Sequence, residues 1–147
     1  MAKTSDPVKV VFACVANAGR SQMAAAFFTQ LADPARAHAV SAGTRPATAV
    51  HPEVVAVMLE TGIDLSQARP QYLSAALCKG AYIVITMGCG EECPLIPGVE
   101  RDDWPVDDPN GKPIDTVRQI RDEIRKCVTG LIWERKWSNV QSPKSKA

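Results

Sequence analysis

The chain has 147 residues, 46% of them hydrophobic and 22% charged, the make-up of one ordinary folded domain rather than a disordered or fibrous chain. Seventeen Lys and Arg against sixteen Asp and Glu leave a formal charge of +1, so no long-range field favours nucleic acid or an anionic membrane as partner. Met1 to Lys9 lacks the apolar centre of an export signal, and no run of about 18 apolar residues is present to span a bilayer. The expectation is a cytoplasmic protein whose five cysteines are free, metal-binding or catalytic thiols rather than a disulfide framework.

In chain order, Val8 to Ala13 is a nearly continuous β-branched run, the pattern of a strand buried on both faces of a parallel sheet. From Ser21 to Ala32, Met23, Phe27 and Leu31 recur on one helical face, and Asp33-Pro34 stops the pattern. His38 to Ser41 predicts a second strand ending at Gly43. His51-Pro52 opens a helix that turns Val54, Val55, Met58 and Leu59 inward and closes at Gly62. Tyr72 to Lys79 predicts a short helix, Tyr82 to Met87 a third strand, and Asp103 to Val106 a fourth. The stretch between the third and fourth strands holds Gly88, Gly90, Pro94, Pro97 and Gly98 and is expected to be a loop. A last helix from about Asp115 to Trp133 carries the apolar stripe Val117, Ile120, Ile124, Val128, Leu131 and Ile132. Residues 1–137 are thus expected to form a single domain, with 138–147 a polar tail. Alternating strands and helices mean right-handed crossovers in a parallel sheet, with ligands at the carboxyl ends of the strands.

The first such strand end is followed directly by Cys14-Val15-Ala16-Asn17-Ala18-Gly19-Arg20-Ser21, a loop of small residues leading into a helix. Successive backbone N–H groups of such a loop, with the unpaired donors of the first helical turn, converge into a cradle for a tetrahedral oxyanion. Ala16, Ala18 and Gly19 keep it open, and Arg20 adds a planar charged fork matched to two anion oxygens. The same positive field favours Cys14 as the attacking thiolate. The oxyanion-binding set is therefore Val15, Ala16, Asn17, Ala18, Gly19, Arg20 and Ser21. Asn17 is expected to brace the loop through hydrogen bonds to backbone. Ser21 is expected to donate to the thiolate, to cap the helix, or to do both. A buried, inert thiol is the plain alternative for an isolated cysteine, but the arginine six positions on and the strand–loop–helix setting favour a catalytic loop.

Cys14 to Arg20 with Ser21-Gln22-Met23-Ala24, then Ser41-Ala42-Gly43-Thr44, Gly62-Ile63-Asp64-Leu65-Ser66, Ile85-Thr86-Met87-Gly88-Cys89 and Asp107-Asp108-Pro109, resembles the arsenate reductases built on the low-molecular-weight protein tyrosine phosphatase fold. The resemblance covers about residues 8 to 133. It implies an α/β fold with a four-stranded parallel sheet flanked by helices on both faces. It also implies reduction of arsenate to arsenite, with phosphate or sulfate as mimics. Cys14 would be the nucleophile and Asp108 the general acid, and Cys89 and Cys93 would carry the disulfide outward to thioredoxin. Asp107 is the alternative acid, and a turn or cap is the plainer role for Asp108.

The sequence departs from many relatives in carrying Ala25 where they have a potassium-binding Glu, and the Asp-Pro loop continues Asn110-Gly111 without the tyrosines that hold an aromatic substrate. No cofactor is expected. No metal is expected either, since the Cys89 and Cys93 pair has no second pair to complete a zinc site. Cys78 and Cys127 fall in predicted helices and are read as inert, and His38 and His51 as structural. The rivals are a phosphotyrosine phosphatase, which needs neither Cys89 nor Cys93, and a reductase recycled by a small thiol with a glutaredoxin-like protein. A phosphocarrier and a non-turnover arsenite or redox sensor are further rivals.

Overall fold

In a computed structural model of the chain, residues 6–88 and 96–138 are described. The elements are β1 (Val8–Cys14), α1 (Arg20–Leu31), β2 (Ala37–Gly43), α2 (Pro52–Leu59), α3 (Ala75–Cys78), β3 (Ala81–Thr86), β4 (Glu100–Asp103) and α4 (Ile114–Glu134). The strands form one sheet in the order β2-β1-β3-β4, with every neighbouring pair parallel. Central β1 explains its own composition, because successive side chains point to opposite faces and both faces are covered. Val10 and Phe12 join the larger core with Met23, Phe27 and Phe28 of α1, Val54, Val57 and Met58 of α2, and the α4 stripe. Val11 and Ala13 join the smaller core with Leu73, Cys78 and Val84. Three helices thus cover one face, and short α3 helps cover the other. Phe12, Phe27 and Phe28 are fully buried, and each such side chain stabilises the fold by about 1.5–3 kcal/mol.

Two expected elements shift, and Leu59, expected to turn inward, is exposed because Val54, Val57 and Met58 form the buried face of α2. The fourth strand is Glu100–Asp103 rather than Asp103 to Val106. It pairs with Ile83 to Thr86 at the sheet edge, where the Thr86 hydroxyl also donates to Asp103 Oδ1 at 2.6 Å, and its charged side chains discourage further pairing. Trp104 and Val106, whose apolar character suggested the later range, instead pack just past the strand, with the Trp104 ring 5.7 Å from Phe12 and Val106 buried. The helix expected over Tyr72 to Lys79 is confined to Ala75–Cys78, because the Ser74 hydroxyl accepts from the Leu77 amide at 3.0 Å and starts the turn there. Tyr72 instead makes a parallel bridge to Gly43. Of the expected tail, Ser138 bridges Ala32, and the rest lies outside the described residues. Among the described residues no helix is long and apolar enough to cross a membrane.

Candidate active site

β1 delivers Cys14 to the carboxyl edge of the sheet, and the loop that follows has every carbonyl engaged on one side. Thr44 N–H donates to Cys14 O at 3.2 Å, Arg45 to Val15 O at 2.8 Å, Ala47 to Ala16 O at 2.9 Å and His51 to Ala18 O at 3.0 Å. The Gln22 side-chain amide donates to Asn17 O at 3.1 Å, and Met23 N–H to Gly19 O at 3.0 Å. A trans peptide plane points its N–H opposite its carbonyl. With the carbonyls of residues 14–19 held by the surrounding structure, the amides of Val15 through Arg20 are therefore turned toward the concave side. This is the physical form of an anion nest. Asn17 N–H already points at the Cys14 sulfur, 3.3 Å away.

Asn17 is the left-handed turn of that loop, with φ +52° and a fully buried side chain. Its Oδ1 accepts from Gln71 N–H at 2.9 Å and from Gln22 Nε2 at 3.2 Å, while its Nδ2 donates to Ser21 Oγ at 2.7 Å. Because Ser21 Oγ accepts there, its own proton is available to Cys14 Sγ at 2.9 Å. Ser21 does not cap the helix as one expectation had it. Gly19 is the cap residue, no side chain caps the terminus, and Ser21 lies inside the first turn with its hydroxyl directed at sulfur.

Arg20 is almost wholly buried and enters the site from the helix start. Its Nη1 donates to Val106 O at 3.1 Å, and its Nη2 lies 3.7 Å from Asp108 Oδ2. The structure thus brings Cys14, Arg20, Ser21 and Asp108 together at one strand end. The Asp108 side chain is 55% exposed, and its Oδ1 accepts from Asn110 N–H at 3.0 Å, so it forms a turn and also faces Arg20. Gly88, with φ +91°, packs directly on the Arg20 guanidinium, where a side chain would collide. Cys89 and Cys93 lie outside the described residues. Cys78 is fully buried and Cys127 half-buried, and burial is the main cause pushing both thiols up, with Glu123 adding to the effect at Cys127.

Composition and periodicity missed several supporting residues. Gly43 pairs with Cys14 in the ladder, and a Cβ on it would stand 2.5 Å from Val15 O and 2.9 Å from Asn17 N. Gln22 ties the loop to Arg69 O at 3.2 Å, and the backbone of 44–51 buttresses the nest. Gln22, Gly43 and Thr44 stand among the residues that carry the family resemblance, but their spacing alone assigned them no supporting role.

The family model for low molecular weight phosphotyrosine protein phosphatase matches residues 9–143. A Halobacterium salinarum protein with a provisional arsenate reductase assignment is 42% identical over 132 residues, covering 86% of this chain and 92% of that protein. The arsenate reductase of Staphylococcus aureus strain Newman is 33% identical over 121 residues, covering 79% and 89%. Among solved structures, a thioredoxin-dependent arsenate reductase of Corynebacterium glutamicum superposes with a TM-score of 0.75 at 36% identity. The match covers 89% of this chain and 62% of that one, so the chain spans less than two thirds of that structure. An arginine phosphatase from Geobacillus stearothermophilus gives a TM-score of 0.70 at 25% identity, covering 88% and 94%.

Proposed function

The chain belongs to the low-molecular-weight phosphotyrosine protein phosphatase family, and on that premise we propose that it is an arsenate reductase using Cys14 as its nucleophile. The carrying observation is the nest, whose carbonyls are held by partners elsewhere and whose buried sulfur the Ser21 hydroxyl and the Asn17 amide contact. Arsenate and phosphate share shape and charge, so the nest alone accepts either. The named reductases at 42% and 33% identity support arsenate. So does the Asp-Pro loop, which continues into Asn110-Gly111 with no aromatic residue to hold a phosphotyrosine ring.

In the reading proposed, arsenate binds to the amides of Val15 through Arg20 and to the Arg20 fork, and Cys14 thiolate attacks arsenic. Asp108, beside Arg20, protonates the departing oxygen, which leaves as water. Cys89 thiolate then attacks Cys14 Sγ. The Cys14–Cys89 disulfide forms, the sulfur–arsenic bond breaks with its electron pair going to arsenic, and arsenite departs with arsenic trivalent. Cys93 thiolate next attacks Cys89, releasing Cys14 as thiolate and leaving a Cys89–Cys93 disulfide for thioredoxin to reduce. Support for the relay comes from the thioredoxin dependence of the Corynebacterium glutamicum enzyme. Gly88, the residue preceding Cys89 in the sequence, also touches Arg20 at the site.

The test is steady-state consumption of a thioredoxin system on adding arsenate. Wild type is expected to turn over, and Cys14→Ser and Cys89→Ser to stop. Mass spectrometry of Cys93→Ser after one turnover is expected to find a Cys14–Cys89 bridge. Persistent turnover in Cys89→Ser refutes the relay, and a small-thiol adduct on Cys14 moves recycling to a glutaredoxin-like partner. Phosphotyrosine hydrolysis without arsenate turnover refutes the reductase assignment.

A further inference from the structure

The Asp108 loop meets the nest at two places, and only one of them is electrostatic. Arg20 holds Val106 O and faces the Asp108 carboxylate. The other contact is steric. An ideal Cβ on Gly19 would stand 2.9 Å from Pro109 Cγ, 3.5 Å from Pro109 Cδ and 3.7 Å from Val54 Cγ2. The Pro109 ring is buried and occupies the space where Gly19 has no side chain. The proline ring is closed onto the backbone nitrogen, so displacing it beyond what repuckering at Cγ absorbs moves the peptide that joins it to Asp108. The remaining hydrogen bonds of Asp108 and Pro109 are internal to the loop, from Asn110 N–H to Asp108 Oδ1 at 3.0 Å, from Lys112 Nζ to Asp108 O at 2.8 Å and from Lys112 N–H to Pro109 O at 3.1 Å. They fix its shape without fixing its height above the nest.

We propose that Gly19 and Pro109 are a pair of positioning residues whose direct contact sets the distance between the Asp108 carboxyl and the anion in the nest. This inference rests on the reading of Asp108 as the acid. Ordinary contact begins near 3.4 Å, so a methyl group at position 19 drives Pro109 and Asp108 outward by about 0.5 Å. A misplacement of that size in a catalytic group costs about tenfold in the chemical step.

The experiment is a double-mutant cycle of Gly19→Ala and Pro109→Ala, reading kcat for arsenate and the inhibition constant of inorganic phosphate. Gly19→Ala is expected to lower kcat about tenfold, and phosphate inhibition is read in Pro109→Ala, which alters no nest residue, where it stays within about threefold. Pro109→Ala is expected to lower kcat by a similar factor by leaving the loop unseated. The double variant is expected to exceed either single one, since the new methyl group fills the space the ring vacated. Multiplicative losses overturn the proposal, as does phosphate affinity falling in step with kcat in Pro109→Ala. If Gly19→Ala does not fold, Pro109→Ala alone decides, and an unchanged kcat overturns the proposal. Asp108→Asn in the wild-type background separates the two layers. If it turns over normally, the acid assignment fails, whereas if it is impaired and the cycle is multiplicative, only the positioning inference fails.

Discussion

Substituting Gly43 by Ala tests whether the nest depends on a strand that never touches the anion. Gly43 has none of the positive φ that marks five other glycines, so alanine meets no backbone penalty there. The cost is purely one of space. The new Cβ would lie 2.5 Å from Val15 O, 2.9 Å from Asn17 N and 3.1 Å from Ala16 C, all backbone atoms of the nest. Strand β2 cannot retreat easily. Gly43 N–H donates to Gln71 O at 2.9 Å, its carbonyl accepts from Leu73 N–H at 2.8 Å, and it sits in register with Cys14. Restoring ordinary contact therefore requires Val15 O to move by about 0.9 Å, which turns its peptide plane and the amide beyond it. Overpacking of this kind costs about 1–3 kcal/mol of stability. A displacement near 1 Å in the binding groups weakens the site by about 10–100-fold. Urea unfolding followed by circular dichroism reads the first quantity, and calorimetric titration with inorganic phosphate reads the second. Gly62→Ala is the control, since its φ of +89° costs about 1–2 kcal/mol but nothing lies within 4 Å of its new methyl group. Phosphate affinity in Gly43→Ala within about twofold of wild type would refute the reasoning, because the nest would then be indifferent to its support.

Ser21→Ala removes the hydroxyl 2.9 Å from Cys14 Sγ and strands the buried Asn17 Nδ2 donor, so kcat for arsenate should fall by about 10–100-fold with partial recovery in Ser21→Thr. Glu60 is lowered to about 2 by its hydrogen bonds from Arg118 and Arg121, which join α2 to α4. A depressed carboxylate stabilises the fold above its unfolded value near 4.5 and loses that contribution as pH falls toward 2. The stability gap between wild type and Glu60→Gln should thus be constant from neutral pH to about 5 and close below it, as denaturant titrations at stepped pH would read. Cys127→Ala should leave thioredoxin-coupled turnover unchanged, because that thiol lies on α4 and burial disfavours its ionised form. Loss of turnover there would add a cysteine to the relay.

What the sequence determined by itself was whatever depends on neighbours along the chain. β1 is a run of apolar residues buried on both faces, α4 shows its stripe at helical spacing, and Pro52 and Gly62 bound the α2 segment through their own φ preferences. The Cys14 to Ser21 loop was legible for the same reason, since the strand end, small residues and Arg20 are contiguous. Tertiary structure alone decided what depends on residues distant in sequence. Glu100–Asp103 is a strand because β3 offers it an edge, which backbone hydrogen bonds can use whatever the side chains. Ser21 faces sulfur because Asn17 occupies its acceptor side, and Asn17 is held in turn by Gln71 from 54 positions away. The orientation of the nest amides is set by carbonyl partners at Thr44, Arg45, Ala47 and His51, and the seat of Asp108 by Pro109 against Gly19. A peptide plane has no preferred direction until something grips its carbonyl, and only the folded chain brings that partner within reach.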